Sequence, residues 1–253
     1  VLSDEQLLRY DRQIMLPRFD VAGQERLLEA GVLVVGLGGL GCPASLYLAA
    51  AGVGELLLAD GDAVEISNLQ RQIAHTEADL GRAKVASAAA AVARLNARTR
   101  VTELPRRLGL DELRSHAARV DLIVDASDSF ATRLDINRAC REAGTPWVSG
   151  AAVRSEGQVA VFDTAAGSAC YRCLYPQGEE ERNFSCAENG VLAPVVGVVG
   201  TLQALEAVKL LAGFGEPIVG SMLSIDAWSL QVRRVGLRRN PRCPHCGPDA
   251  ASG

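Results

Sequence analysis

Val32-Leu-Val-Val-Gly-Leu-Gly-Gly-Leu-Gly-Cys-Pro-Ala-Ser-Leu-Tyr-Leu-Ala-Ala-Ala51, followed by Glu55-Leu-Leu-Leu-Ala-Asp60, is the stretch that decides the fold. Val32–Val35 is a continuous apolar run, as expected of a parallel strand covered on both faces. Gly36 to Gly41 reads as a turn, and the alanine-rich run to about Ala51 as a helix. Glu55–Ala59 is a second apolar strand. Gly36, Gly38 and Gly41 fit the G-x-G-x-x-G spacing, with Gly39 beside them. Glycines here permit a tight turn and let a phosphate approach backbone N–H groups at a helix N-terminus. Asp60, 19 residues after Gly41, stands where a carboxylate accepts hydrogen bonds from a ribose diol. The order strand, turn, helix, strand, acid predicts a bound nucleotide. It suits NAD or FAD in an oxidoreductase as well as ATP. The bland alternative is a turn kept only for helix–strand packing.

Working outward, the pattern alternates. Ser3-Asp-Glu-Gln6 is a capping box that opens a helix, and helical signal runs to about Glu29 with a break near Pro17. Arg82–Asn96 is predicted helical. Val101–Leu104, Leu122–Val124 and Trp147–Ser149 are predicted strands with helices between. After residue 150, Ala151–Val153 and Gln158–Phe162 read as a hairpin joined through Ser155-Glu-Gly157. Gln177–Gly190 is polar and acidic and is expected to be an exposed, mobile loop. Pro194 to Gly213 is predicted helical, with Met222–Asp226 and Leu230–Val235 as closing strands. The expectation is an α/β fold: a Rossmann-like, mostly parallel sheet extended by antiparallel strands, with helices on both faces. No linker interrupts it, so residues 1–253 are expected to form one domain. Its nucleotide-binding part would be about 1–150, and a partner-binding, metal-holding part about 151–253.

The chain of 253 residues is 48% hydrophobic and 22% charged, with a net charge of −4, ordinary for a globular domain. That charge predicts neither nucleic acid nor an anionic membrane as partner. Residues 30–54 and 189–205 are uncharged, but glycines, Pro43 and Pro194 interrupt them, so core segments are expected rather than membrane spans. Of the seven cysteines, Cys170-Tyr-Arg-Cys173 and Cys243-Pro-His-Cys246 form two short hooks separated by 69 residues. Four thiolates in this pattern fit a closed, structural Zn²⁺ site. Such a metal would pin the tail to the segment after the hairpin. Two redox pairs are the alternative, and His245 is a possible alternate ligand. Cys42 and Cys140 read as small buried helix residues. An odd count with two metal hooks suits a reducing, cytoplasmic compartment.

A run rich in basic and amide residues, Ser67-Asn68-Leu69-Gln70-Arg71-Gln72, follows Asp60, and Lys84 follows that. A triphosphate concentrates more negative charge than a pyrophosphate and needs cations as well as backbone donors. Arg71 and Lys84 would supply them, and the oxidoreductase reading leaves them unexplained. Asp128, with Ser129 beside it, follows the strand Leu122–Val124. A carboxylate there can hold Mg²⁺ bridging phosphates, or merely cap the helix that starts near Phe130.

Arg9-Tyr-Asp-Arg12-Gln13, the glycine turn, Asp60 through Gln72, Lys84, Asp128 and the two cysteine hooks together resemble the ThiF/MoeB/HesA family, bacterial relatives of ubiquitin-activating enzymes. The resemblance covers essentially the whole chain in order. It implies adenylation of the C-terminal glycine carboxylate of a small ubiquitin-like sulfur-carrier protein ending in Gly-Gly. ATP and Mg²⁺ would be used and pyrophosphate released, in thiamine, molybdopterin or a related pathway. It places Gly39 against the nucleotide and Asp60 on its ribose. Asn68, Arg71 and Lys84 would address the phosphates, Asp128 would hold Mg²⁺, and structural zinc would sit on the four cysteines. It further implies a homodimer in which Arg12 reaches the partner's site, and a separate sulfur donor protein. Cys186, in Asn183-Phe-Ser-Cys186, matches a cysteine that some relatives use as a covalent sulfur link. Beside the NAD(P)- or FAD-binding oxidoreductase, two further alternatives remain at this point. One is a different peptide C-terminus as substrate; the other is a scaffold that has lost activity. Ser127 and Ser129, where relatives often have Thr and Asn, are the main departures.

Overall fold

The computed structural model describes residues 1–163, 166–176 and 189–247. Strands β1 (Gly31–Val35), β2 (Glu55–Ala59), β3 (Arg100–Leu104), β4 (Leu122–Asp125), β5 (Trp147–Val153), β6 (Glu156–Phe162), β7 (Ser221–Asp226) and β8 (Gln231–Gly236) form one sheet. Their order is β3-β2-β1-β4-β5-β6-β7-β8. The pairs from β3 to β5 are parallel, and those from β5 to β8 are antiparallel. The chain is thus an α/β protein of the mixed kind expected.

Side chains alternate across the strands, so β1 feeds two cores. Val32 and Val34 join one with Leu48, Val85, Val92 and Val199. Leu33 and Val35 join the other with Leu113, Ile123, Ile136, Trp147 and Phe162. The first is covered by α3 (Asp20–Glu29), α4 (Gly41–Ala51), α5 (Lys84–Leu95) and α9 (Ala193–Ala212), the second by α6 (Leu110–Ala117) and α7 (Phe130–Ala143). The other α-helices named here are short, α1 (Asp4–Arg9), α2 (Asp11–Ile14) and α8 (Tyr171–Leu174), and 3₁₀ turns lie at Ile66–Asn68 and Glu77–Asp79. Helix α1 opens on the capping box, in which Ser3 accepts from Gln6 N–H and Gln6 reaches back to Ser3 N–H. Helix α9 is long and apolar enough by composition to cross a membrane. Here Val195, Val196, Val199 and Ala207 are buried in the first core. A Cβ at Gly200 would lie 2.3 Å from the Leu40 carbonyl oxygen, so α9 can approach the start of α4 closely only with glycine there.

Two local expectations are corrected. Trp147–Ser149 and Ala151–Val153 are not separate elements: β5 runs through Gly150, where Gln203 packs so closely that a Cβ would meet its amide at 2.4 Å. The hairpin turn is Arg154-Ser155, with Val153 opposite Glu156, rather than Ser155 to Gly157. Arg154 takes a left-handed φ of 53° there. The backbone bends at this point, and a side chain bears the cost that glycine would avoid.

At the C-terminal end of the sheet, Val35 is level with Ala59 on one side and Asp125 on the other. The chain leaves β1 toward one face and β4 toward the other. Outside that switch point a doubly wound sheet opens a crevice.

Candidate nucleotide cleft and cysteine cluster

A cleft of about 320 Å³ occupies that switch point. Gly36, Gly38, Gly39, Asp60, Asn68, Arg71, Lys84, Asp128 and Ser129 all line it. Ser67, Leu69, Gln70 and Gly41 do not, although they were expected to. The glycines divide the work. A Cβ on Gly41 would lie 1.8 Å from the Gly36 carbonyl oxygen, and Gly36 combines a φ of 92° with a Cβ position 2.7 Å from Ala126 O. Both are packing glycines. Gly38 is different: the nearest atom to a Cβ there is Gln72 Nε2 at 3.7 Å, so its face is open to the cleft. Among the described residues, the N–H groups of Gly38, Gly39 and Leu40 make no hydrogen bond, which leaves a row of donors at the head of α4.

Asp60, at the end of β2, is tied into the turn. Its Oδ2 accepts from Leu37 N–H at 2.7 Å and its Oδ1 from Asp62 N–H at 2.8 Å. Each oxygen keeps a further lone pair for a hydroxyl. Lys84, the first residue of α5, is buried, and its Nζ meets Asp62 Oδ2 at 3.0 Å. Arg107 Nη2 reaches the other oxygen of Asp62 at 3.2 Å. Partial burial pushes the Asp62 carboxyl up, but the hydrogen bonds and charges of Lys84 and Arg107 outweigh it and hold the group below the usual carboxylate range. Arg71 donates to the Ser67 carbonyl at 3.0 Å and has no carboxylate partner among the described residues.

Asp128 is exposed, and its carboxylate makes no hydrogen bond or ion pair among the described residues. The helix-capping role open to it in the sequence belongs to its neighbour: Ser129 Oγ accepts from Thr132 N–H at the start of α7. The loop under Asp128 is rigidly held. Asp125 is fully buried, its Oδ1 accepting from the Ser127 hydroxyl at 2.6 Å and its Oδ2 from the Ser149 hydroxyl at 3.2 Å, with Arg133 Nε at 3.3 Å. Arg133 Nη2 also donates to Ser127 O and Gly150 O.

Asp62, Gln72, Arg106, Arg107, Arg133 and Val196 also line the cleft, beyond the site residues the sequence points to. Gln72 had a visible signal, because it ends the amide-rich run. It is 4% exposed and its Oε1 has no partner. Its Nε2 stands beside the open face of Gly38, and the orphaned oxygen on the same amide fits a cleft built for a polar ligand. Arg106 and Arg107 enter from the β3–α6 connection, which carries no motif.

Arg12 lies outside this cleft. Its side chain is 87% exposed, with Asp11 as an ion partner at 3.6 Å. Cys186, and residues 177–188 of the expected loop, lie outside the described residues.

The second cluster is closed. The sulfurs of Cys170, Cys173, Cys243 and Cys246 all lie within 4.8 Å of one another. Neighbouring Sγ atoms are 3.9 Å (Cys170–Cys173), 3.6 Å (Cys170–Cys243) and 3.3 Å (Cys173–Cys246) apart. Disulfide sulfurs would sit at about 2 Å. Zn–S bonds of about 2.3 Å in a tetrahedron put sulfurs about 3.8 Å apart, so the donor set fits zinc. Burial pushes the thiols of Cys170 and Cys173 up. Cys246 is buried too, but hydrogen bonds from Cys173, Cys170 and Cys243 draw it down. Four thiolates in this space therefore call for a cation. His245 is not a fifth donor: its Nδ1 faces Asn137 Nδ2 at 3.2 Å, and Asn137 Oδ1 accepts from Tyr171 N–H at 2.9 Å. One asparagine on α7 thus holds both hooks.

The ThiF family profile matches residues 10–245. The chain belongs to the ThiF family. It is 49% identical over 246 residues to the molybdopterin-synthase adenylyltransferase of Escherichia coli (strain K12), covering 97% of this chain and 98% of that protein. It is 47% identical over 247 residues to the sulfur carrier protein ThiS adenylyltransferase of the same strain, covering 97% of each. Among solved structures, that of E. coli MccB with ATP has a TM-score of 0.83 at 25% identity, covering 94% of this chain and 73% of that one.

Proposed function

We propose that this ThiF-family protein is an adenylyltransferase that activates the C-terminal glycine carboxylate of a ubiquitin-like sulfur carrier ending in Gly-Gly. It would use ATP with Mg²⁺ and release pyrophosphate, in molybdopterin, thiamine or related cofactor synthesis. The observation that carries the reading is the convergence of loop N–H donors, Asp60, Arg71, Lys84 and the unpaired Asp128 on one cleft. The two adenylyltransferase relatives support it.

The chemistry asks for these groups. A carboxylate oxygen attacks the α-phosphorus, and the bond to the pyrophosphate oxygen breaks. Two anions have to meet, so cations are needed to lower the barrier. No general base is required, because the nucleophile is already ionised. The free N–H groups of Gly38, Gly39 and Leu40 suit phosphate oxygens, and Asp60 suits the ribose. Arg71 and Lys84 would be the cations that meet the phosphates, with Asn68 beside them and Arg106 and Arg107 lining the same cleft. Asp128 would hold Mg²⁺, an ion bound through one or two carboxylates plus phosphates; bound there, it would neutralise phosphate charge. Structural zinc on the four cysteines would anchor the tail. Residues 1–150 would supply the nucleotide-binding part and residues 151–253 the carrier-binding part of one unit. Arg12, exposed and lightly held, suits a homodimer in which it reaches a partner's cleft. Cys186 would serve the later sulfur step, with sulfur from a separate donor protein.

The test is carrier-dependent ATP–pyrophosphate exchange with purified carriers ending in Gly-Gly. Exchange with at least one carrier, lost when its terminal glycine is removed, is expected. Absence of exchange with every carrier, despite ATP binding, would overturn the reading.

A further inference from the structure

Behind the glycine turn lies a buried polar network that the proposed reaction does not use. Leu37 is the one non-glycine residue between Gly36 and Gly39, and it is fully buried. Its peptide groups are held at both ends. The N–H goes to Asp60 Oδ2 at 2.7 Å. The carbonyl oxygen faces His75 Nε2 at 3.1 Å and accepts a second, longer contact from the Cys42 thiol at 3.3 Å. His75 is 5% exposed, and its Nδ1 meets Ser87 Oγ at 2.8 Å.

A carbonyl only accepts, so Nε2 carries the proton that faces Leu37. In the neutral ring Nδ1 is then the acceptor and the Ser87 hydroxyl its donor, with the Asp79 carboxylate a second acceptor beside the same hydroxyl. The charged and titratable groups around the ring are Lys84, Asp79, Asp60 and the Cys42 thiol. Burial holds His75 below the usual imidazole range, with the Lys84 charge acting the same way and Asp79 and Asp60 opposing. The Cys42 thiol is itself pushed up to about 12 by burial, so it stays protonated as a donor.

The peptide after Leu37 carries the Gly38 N–H, which has no partner among the described residues, and Gly38 lines the cleft. A peptide unit is planar, so fixing the Leu37 carbonyl fixes the direction of the Gly38 N–H. We propose that His75 is a positioning residue: through the Leu37 carbonyl it aims the Gly38 N–H into the cleft, while Asp60 fixes the same turn from the ribose side. The inference rests on the cleft being a nucleotide site, as proposed above. It adds a residue that touches no ligand, and it links the ribose acid and the phosphate donors through a single residue, Leu37.

The test is ATP affinity measured by calorimetry on the whole chain without carrier, together with melting temperature and steady-state constants. His75→Leu removes the donor at similar bulk and is expected to weaken ATP about five- to twentyfold, the range of one or two hydrogen bonds. The KM for carrier should stay within about twofold. His75→Gln, whose Nε2 can still donate to Leu37, should recover ATP affinity to within about threefold of wild type. Ser87→Ala, which removes the partner of Nδ1, should fall between the two. A folded His75→Leu protein that binds ATP as well as wild type would overturn the inference. So would a His75→Gln protein as weak as His75→Leu. Should His75→Leu fail to fold, nitrogen NMR of the wild type decides. A proton on Nε2 with Nδ1 bare supports the proposal, and a bare Nε2 refutes it. Wild-type ATP binding without carrier-dependent exchange would sink the proposed reaction and leave this inference standing on the affinities. Wild-type protein that binds no ATP would remove both.

Discussion

Between β1 and β4 the chain leaves polar groups unpartnered, whereas around the cysteine hooks it closes them on one another. The Asp128 carboxylate, the Gln72 amide oxygen and the N–H groups of Gly38 to Leu40 belong to residues that line one cleft, and among the described residues they have no protein partner. At the other centre, four sulfurs face inward, Asn240 N–H donates to Cys173 Sγ at 3.3 Å, and Asn137 holds both hooks. An unmade hydrogen bond costs free energy when the group is buried, as the Gln72 oxygen is, so the first region gives up some stability for a ligand. The second spends its polar groups on holding the tail. Stability and activity should therefore come apart when each is perturbed, and α7 is where they meet. Its first turn carries Ser129 and Arg133 in the cleft, and Asn137 follows one turn later.

The largest effect is expected at the closed centre. Cys170→Ser should reduce bound zinc, measured by elemental analysis, from about one per chain to near none. It should cost on the order of 5 kcal/mol in denaturant unfolding, since binding energy at a structural zinc is folding energy. The nucleotide contacts lie elsewhere, so ATP affinity of the folded fraction should hold within about threefold. A fall in ATP affinity as large as the loss of stability would show that the two regions are one cooperative unit.

Asp128→Ala is the converse. The side chain is exposed and unpaired, so unfolding free energy should move by no more than about 0.5 kcal/mol. Carrier-dependent pyrophosphate exchange should drop about 10²- to 10³-fold, the usual effect of removing one preorganised electrostatic group. A stable variant that keeps its exchange rate would mean that Mg²⁺ is held by other groups.

Two glycines a turn apart sharpen the same contrast inside a single loop. Gly41→Ala would drive a Cβ to 1.8 Å from Gly36 O. Backbone has to move, and about 3 kcal/mol or more of stability should be lost. Gly38→Ala meets nothing closer than 3.7 Å. Its melting temperature should barely change, while ATP affinity should fall as the methyl occupies space meant for phosphate. Equal destabilisation by both would show that Gly38, too, is a packing glycine.

These contrasts track what was legible in the sequence. Val32–Val35, the glycine spacing and Asp60 carry the parallel half because each is local: a buried strand, a turn that needs φ above zero, an acid at a strand end. The cysteine hooks are readable for the same reason, since Cys-x-x-Cys fixes two ligands on one turn. What stayed hidden depends on long-range packing. Gly150 looks like a strand break until Gln203, from a helix about fifty residues on, fills the space its side chain would take. Arg106 and Arg107 reach the cleft only because β3 ends beside β2. Asp128 and Ser129 are two adjacent polar residues, and only three-dimensional geometry shows which one caps α7. Asp62 lies inside a recognised motif, yet its role as the partner of Lys84 and Arg107 follows from the bridge between Ala63 and Ala83, which brings the segment after β2 against the start of α5.

Asp62 gives the smallest and most pH-specific test. Its folded carboxyl lies below the usual range because Lys84 and Arg107 outweigh burial. A depressed carboxylate contributes stability that is complete above its unfolded pKa of about 4 and is lost as pH falls through the folded value. Comparing wild type with Asp62→Asn by denaturant unfolding should therefore give a constant difference from about pH 5 to pH 8, shrinking below about pH 4. Asp62 and Arg107 are both well exposed, so the difference should stay under about 1 kcal/mol. Lys84 is the buried partner. In Asp62→Asn no carboxylate competes with phosphate for Lys84, so ATP affinity should rise or hold even as stability drops slightly. A fall in affinity would instead mean that Asp62 aims Lys84 at the phosphates, which would move this residue from the stabilising side of the comparison to the binding side.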